Sequence, residues 1–208
     1  MKQLEQRSQF STDLRVRQAN ADLNLAMDGW AKNEQSADLM IERAHSRPQT
    51  RASYVYFMGM LAGRGVAYNR IYPLLVNYAR NDPDPAVRQW AVEGMRFLAS
   101  DEALDRLFES FTTDASDKVR ERAGCNISDC GIFTRQQRMR LVPKFIALVE
   151  DPETPPRMRN WSFMALHEIT DQNLLPNASA WDDWYTQHGA EKTAQFQRQE
   201  WWRVHGDE

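Results

Sequence analysis

The chain has 208 residues, of which 42% are hydrophobic and 26% are charged, and its formal net charge is -3 at pH 7. These values are typical of a globular protein that is long enough to bury a core. The near-neutral charge gives no field that would steer the chain toward nucleic acid or an acidic membrane. The longest apolar run, from Tyr54 to Ala62, is far shorter than the roughly 20 residues of a membrane span.

The first segment of the chain, residues 1–38, is predicted to be a helical cap. Its opening letters, MKQLEQRSQF, lack the apolar region of a signal peptide. This favours a cytoplasmic location and leaves a secreted or periplasmic one open if a leader was removed. Residues 4–32 are predicted to form one long amphipathic helix. The side chains expected to face the core are those of Leu14, Ala21, Leu25 and Trp30.

A sequence motif in which an Asp-containing turn is followed by an Arg recurs along the next segment. In NDPDPAVR, Asp82 lies six residues before Arg88, and in TDASDKVR, Asp114 lies six residues before Arg120. Two further copies keep the Arg, but the sequence of the turn before it differs from that of the first two. The four anchoring arginines are Arg51, Arg88, Arg120 and Arg159. The spacing between them predicts an internal repeat of roughly 32 to 39 residues.

Each anchor is predicted to open a helix, because small or apolar residues lie three, seven and ten positions after it and share one helical face. The seventh positions are Met58, Met95, Ile127 and Leu166. A second helix-like run precedes three of the turns, and two of these runs carry a proline, Pro73 or Pro143, predicted in the first helical turn. A helix pair of this kind buries its apolar face only by stacking on its neighbours.

The last segment, residues 171–208, is predicted to be an aromatic-rich cap made of two helices. A short helix is expected to start near Ser179, and a last helix is expected to start near Glu191. Trp181, Trp184 and Tyr185 are expected on the inner side. The whole chain, 1–208, is therefore predicted to be one all-α domain, an α-solenoid of about four stacked antiparallel helix pairs in residues 39–170 with a helical cap at each end.

This arrangement resembles the HEAT-repeat family from about Leu39 to Thr170. The resemblance rests on the Asp and Arg of each turn, the valine before Arg in two copies, the small residue three after it, and the two prolines. It implies that the second helices line a concave face and that the Asp and Arg residues tie one repeat to the next. We interpret each Arg as an internal strut paired with the Asp six residues before it. The predicted ladder residues are Asp82, Arg88, Asp114, Arg120 and Arg159.

The concave face is the predicted binding surface, because positions one, five and eight after each anchor are expected to point away from the core; in the first copy, position eight is Gly59. Trp90 and Trp161 share position two, where they either form an exposed aromatic ladder or, as we favour, pack between helices. The candidate binding residues are Tyr56, Gln89, Trp90, Glu93, Arg96, Cys125, Asn160, Trp161, Met164 and His167.

No catalytic, metal-binding or cofactor-binding constellation is predicted. The single His167-Glu168 pair cannot supply the ligand set of a metal site. Cys125 and Cys130 lie five residues apart on a predicted helix, which places their Cα atoms about 8 Å apart. That separation is too long for a disulfide, so two free thiols are expected.

These observations favour a non-catalytic scaffold that binds a protein or peptide, with no cofactor and no membrane partner; the oligomeric state stays open. The alternative is a HEAT-like enzyme or nucleic-acid-binding protein, such as an α-helical-repeat DNA glycosylase. The mildly charged concave rows argue against it, because a groove for phosphates is strongly basic. A third possibility is a small-molecule-handling protein with a deep pocket lined by Tyr56, Met164 and tryptophans.

Overall fold

In the computed structural model, the described residues are 11 and 13–204. Within this part of the chain every regular element is a helix and no strand is present. The α-helices are α1 (Leu14–Met27), α2 (Glu34–Ser46), α3 (Arg51–Ala62), α4 (Tyr68–Asn81), α5 (Pro85–Met95), α6 (Asp101–Thr113), α7 (Asp117–Cys125), α8 (Arg135–Met139), α9 (Val142–Glu150), α10 (Pro156–Thr170) and α11 (Ala178–Val204). A 3-10 turn spans Pro48–Thr50, and a π-helix spans Asn126–Cys130.

The helices pack as consecutive pairs, α2 with α3, α4 with α5, α6 with α7, and α9 with α10. The second helix of each pair also packs on the second helix of the next pair. We call α3, α5, α7 and α10 the second-helix row. The long C-terminal helix α11 packs on α8 and α9, at the end of the stack. The predicted all-α fold of stacked helix pairs is confirmed.

One continuous core runs through the stack and reaches the helices at both ends. The four residues at position seven after the anchors are fully buried, as predicted. They are Met58, Met95, Ile127 and Leu166. Burying an apolar side chain of this size stabilises the folded state by about 1.5–3 kcal/mol, so every copy of the repeat gains a contribution of this kind at the same position.

The second-helix row is tightest where α3 crosses α5. A Cβ atom added to Gly59 would lie 2.3 Å from the Cα atom of Gly94. Gly59 was predicted to point away from the core, and this prediction is wrong because its Cα faces the backbone of the neighbouring helix. The two glycines let the helix axes approach more closely than side chains would allow.

Helix α1 is shorter than predicted, because it ends at Met27. Gly29 adopts a left-handed conformation with φ of 76°. The Gly29 amide donates to the carbonyl of Ala26, and the Trp30 amide donates to that of Leu25 over 2.8 Å. This pair of bonds is a Schellman motif, which terminates helices at glycine. The part of the predicted helix in residues 4–10 and 12 lies outside the described residues.

At the other end, α11 replaces the two predicted helices. Asn177 starts it by accepting from the amide of Ala180. No proline follows until the helix ends, and Gly189 is held within it against the ring of Tyr185. Trp181 is fully buried on its inner side. The predicted break before Glu191 is therefore wrong, and residues 205–208 lie outside the described residues.

Two local predictions within the repeats also need correction. Pro73 lies inside α4 because this helix begins at Tyr68, whose ring stacks on that of Tyr72 at 5.7 Å. Pro143 does lie in the first turn of its helix. An aromatic pair four residues apart stabilises a helical turn, and this pair extends α4 toward its N-terminus.

The expectation of two free thiols is wrong, because Cys125 and Cys130 form a disulfide. Helix α7 does not continue as an α-helix through residue 130. The π-helix that follows it stacks residues five apart. The two cysteine Cα atoms are therefore 5.7 Å apart, which is within the range of a disulfide.

Replacing Gly59 with alanine should destabilise the protein by at least about 2 kcal/mol, because the new methyl group meets the backbone of α5 and the helices must separate. Gly124→Ala is the matched control. Its added Cβ would meet the ring of Phe111 at 3.1 Å, a longer contact with a side chain instead of with a backbone. Denaturant unfolding monitored by circular dichroism measures both changes. Equal effects of the two substitutions would contradict the close crossing.

Candidate functional site

The predicted ladder begins with a bidentate ion pair between two repeats. The Nε and Nη2 atoms of Arg88 lie 2.8 and 3.1 Å from the two carboxylate oxygens of Asp114. The Nη1 atom of the same guanidinium donates to the carbonyl of Asp82 over 3.0 Å. The pairing of Arg88 with the Asp82 carboxylate, six residues earlier, is therefore wrong. The carboxylate comes from the next repeat, and the same-repeat bond is to the main chain.

A similar rung joins the first two repeats, although the first copy lacks an Asp of its own. Arg51 donates to the Asp82 carboxylate over 2.9 Å and to the carbonyl of Ala44 over 3.0 Å. Both this Asp and Asp114 are largely buried. Sequence reasoning left Arg51 out of the ladder, but its anchor position was the signal that could have included it.

The ladder changes after the third turn. Arg120 donates to the carbonyl of Asp114 over 2.7 Å and pairs with Asp117 of its own repeat. Arg159 donates to the carbonyls of Asp151 and Thr154. These two arginines stabilise their own turns, whereas Arg88 connects two turns.

Two predicted binding residues, Glu93 and Arg96, lie inside the protein, where they are 5% and 6% exposed. Glu93 pairs with Arg96 at 3.4 Å and with Arg122 of the next repeat. The carbonyl of Arg96 accepts from the Ile132 amide over 2.8 Å. The prediction that both point outward is wrong, because α5 ends at Met95 and other parts of the chain cover this face.

The covering comes from α1 and from the segment after the π-helix. Arg17 and Asn24 of α1 line a small cavity together with Arg96 and Ile132. Arg17 is itself buried. The middle of the second-helix row is thus partly filled by the chain's own N-terminal helix, which no feature of the repeat pattern indicates.

An aromatic cluster remains at the surface beside this covered region. The ring of Tyr56 meets Trp90 edge-on at 4.9 Å and Phe97 at 5.6 Å. Burial raises the pKa of the Tyr56 phenol above its ordinary value, so the hydroxyl is neutral near pH 7. Trp90 is 39% exposed, which leaves part of its indole available for contact.

The other candidate residues are spread along the row and differ in exposure. Met164 is 63% exposed and Asn160 is also exposed. Trp161 packs on Phe111 at 6.5 Å, and the His167 ring packs on Trp181 at 5.3 Å. Gln89 and the disulfide-bonded Cys125 are half-buried.

The surface formed by the first helices of the pairs has a different character. Ion pairs link successive helices there, as between Arg80 and Glu109 at 2.7 Å and between Lys144 and Asp105 at 3.0 Å. Hydrogen bonds from Arg80 hold the pKa of the Glu109 carboxyl below its ordinary value. These charged groups are therefore already paired with one another.

The model of one protein family, described as HEAT repeats, matches residues 36–128. The match runs from α2 into the π-helix and so includes three helix pairs. HEAT repeats are generally protein-interaction scaffolds and are typically non-enzymatic. Neither the curated proteins nor the solved structures contain a match to the chain.

Two further findings concern the part of the chain that the structure describes. No group of three or more His, Cys, Asp or Glu side chains is placed to hold a metal ion among residues 11 and 13–204. None of the helices described is both long enough and apolar enough to span a membrane.

Arg88→Ala should lower the free energy of unfolding by about 2–3 kcal/mol, because it leaves the buried carboxylate of Asp114 without its bidentate partner. The matched control is Arg80→Ala. Arg80 also forms a bidentate pair with an acid of the next repeat, but its side chain is 44% exposed. The control should lose less than about 1 kcal/mol. Equal losses in urea unfolding would show that the buried Arg88–Asp114 pair stabilises the fold no more than the exposed Arg80–Glu109 pair does.

Proposed function

We propose that this protein is a non-catalytic scaffold that binds a protein or peptide segment on the second-helix row. The observation that carries the proposal is the exposure of two large apolar side chains on this row, Trp90 at 39% and Met164 at 63%. An exposed tryptophan backed by other aromatic rings is a common anchor of protein interfaces. Tyr56 forms that backing for Trp90, and the ring of Tyr56 packs in turn on Phe97.

The chemistry of the exposed row favours a protein segment over a phosphate backbone. The row presents the indole of Trp90, the thioether of Met164 and the amide of Asn160, none of which carries charge. The cation nearest the aromatic cluster, Arg96, is buried and shares Glu93 with Arg122. Binding to nucleic acid depends on several free cations that contact phosphates.

A partner of this kind would insert an apolar side chain against the exposed indole edge. Half-buried Gln89 lies next to Trp90 in the chain and offers an amide that can donate to or accept from a peptide backbone. Because Tyr56 holds the indole from behind and is itself packed on Phe97, little side-chain entropy is lost when the indole is covered. The partner's apolar anchor therefore decides whether it binds.

Trp90→Ala should weaken this recognition, with a loss of at least about tenfold in affinity, as expected for an aromatic anchor. The matched control is Leu39→Ala on α2, because Leu39 is 38% exposed and Trp90 is 39% exposed. The measurement is selection of peptides from a displayed random library on the wild-type protein, followed by titration of the enriched peptides onto both variants.

The expected result is a set of peptides that share an apolar position and that bind wild type and Leu39→Ala equally. Peptides that bind Trp90→Ala as well as wild type would contradict the proposed surface. Enrichment of no peptide, together with salt-sensitive binding of an oligonucleotide, would favour the nucleic-acid alternative. Thermal unfolding of each variant verifies that a lost signal is not caused by loss of the fold.

A further inference from the structure

The segment from residue 125 to residue 131 is folded around a disulfide. The bond joins half-buried Cys125 to Cys130, which is 8% exposed. Inside the ring that it closes, the π-helix turns the backbone, and the Gly131 amide donates to the carbonyl of Asn126 over 3.0 Å. The disulfide thereby fixes the directions of the carbonyl groups between and just beyond the two cysteines.

Arg17 of α1 binds these carbonyl groups from more than a hundred residues away in the chain. Its Nη1 atom donates to the carbonyl of Gly131 over 3.0 Å and to that of Asp129. Its Nη2 atom lies 3.2 Å from the Asp129 carboxylate. The Arg17 side chain is only 5% exposed. A buried guanidinium needs all of these acceptors, because an unpaired buried charge is strongly unfavourable.

A second arginine, which follows the disulfide in the chain, holds the same backbone. Arg138 of α8 donates to the carbonyl of Gly131 over 2.7 Å and to that of Asp129 over 3.0 Å. The carbonyls of Asp129 and Gly131 are thus shared by guanidinium groups from two elements, α1 and α8. Both arginines depend on one backbone conformation, and the disulfide determines that conformation.

The two halves of α1 are held in different ways. Toward its C-terminus, Ala21 and Leu25 are buried in the core, and Asp22 pairs with Arg64 at 3.0 Å. Within residues 13–20, Arg17 is the buried residue. The N-terminal half of α1 is therefore held by the contacts that Arg17 makes with the disulfide segment, together with the packing of half-buried Leu14 on the core.

We propose that the Cys125–Cys130 disulfide is a redox switch that controls the attachment of the N-terminal half of α1. The reductant is a dithiol. One of its thiolates attacks a cysteine sulfur and forms a mixed disulfide as the Cys125–Cys130 bond breaks. The second thiol of the reductant then displaces this cysteine and closes the reductant to its own disulfide. Two electrons and two protons thus pass from the dithiol to the protein, and Cys125 and Cys130 become thiols.

Reduction removes the constraint that keeps the cysteine Cα atoms 5.7 Å apart. The π-helix is then free to relax toward an α-helix, in which residues five apart lie about 8 Å from one another. The carbonyls of Asp129 and Gly131 turn away from Arg17, which regains water as its partner. The face of Arg96 that α1 covers becomes accessible in the reduced protein. This inference does not depend on the proposed binding function.

Hydrogen exchange of the full-length protein, measured by mass spectrometry with and without dithiothreitol, tests the switch. Before reduction, an alkylating reagent should label neither cysteine. After reduction it should label both, and the amides of residues 14–20 should exchange about tenfold faster. Arg17→Gln should show the faster exchange without reductant. Arg15→Gln is the matched control and should resemble wild type, because the Arg15 side chain is 61% exposed.

The double variant Cys125→Ser/Cys130→Ser should exchange quickly in residues 14–20 whether or not dithiothreitol is present. Two cysteines that react before reduction would overturn the proposal, as would unchanged exchange of α1 after reduction. Peptides from α9 and α10 serve as an internal reference. Faster exchange there as well would mean that reduction unfolds the whole array, and this too would overturn the proposal of a local switch.

Discussion

The close approach of α3 and α5 at Gly59 and Gly94 is the constraint on which the rest of the fold depends. Two helices without side chains at their crossing can pack backbone against backbone, so the row of second helices is held more tightly than side-chain packing alone would allow. The apolar residues on either side of the crossing, such as Met58 and Met95, are then fully buried in one shared core. Because each repeat covers the flank of the next, a change at this crossing alters the surface on which the neighbouring repeat stacks.

The arginine rungs add orientation to this packing. Hydrophobic contact holds helix pairs together without fixing how they rotate, whereas a bidentate pair such as Arg88 with Asp114 has one good geometry. The desolvation cost of such a buried pair offsets much of its attraction, so its main effect is on geometry. Arg51 makes the equivalent rung to Asp82, while Arg120 turns back to its own repeat. The regular ladder therefore ends where the π-helix and α8 interrupt the repeat.

The features that recur in every repeat could be predicted from the sequence. The helix pairs, their order and the buried position seven follow from a pattern that the chain states four times. Features that occur once were missed, because no second copy reveals them. The π-helix joining Cys125 to Cys130 has no equivalent in the other repeats. The burial of Glu93 depends on segments distant in sequence, and periodicity within one helix carries no information about them. Gly29 was a readable signal for the end of α1, since glycine in the left-handed conformation commonly terminates helices.

The candidate binding surface is the part of the second-helix row that no other segment of the chain covers. Helix α1 and the segment beyond the disulfide fill the part of the row beside Arg96, and the buried charges there are balanced internally. Trp90 lies just outside that covered part, fixed from behind by Tyr56 and still partly exposed. A large aromatic side chain that is rigid and exposed gains more from being covered by a partner than a mobile one does, since it has less entropy to lose. The same internal segments that cover the row beside Arg96 therefore leave Trp90 as the position where a partner would gain most.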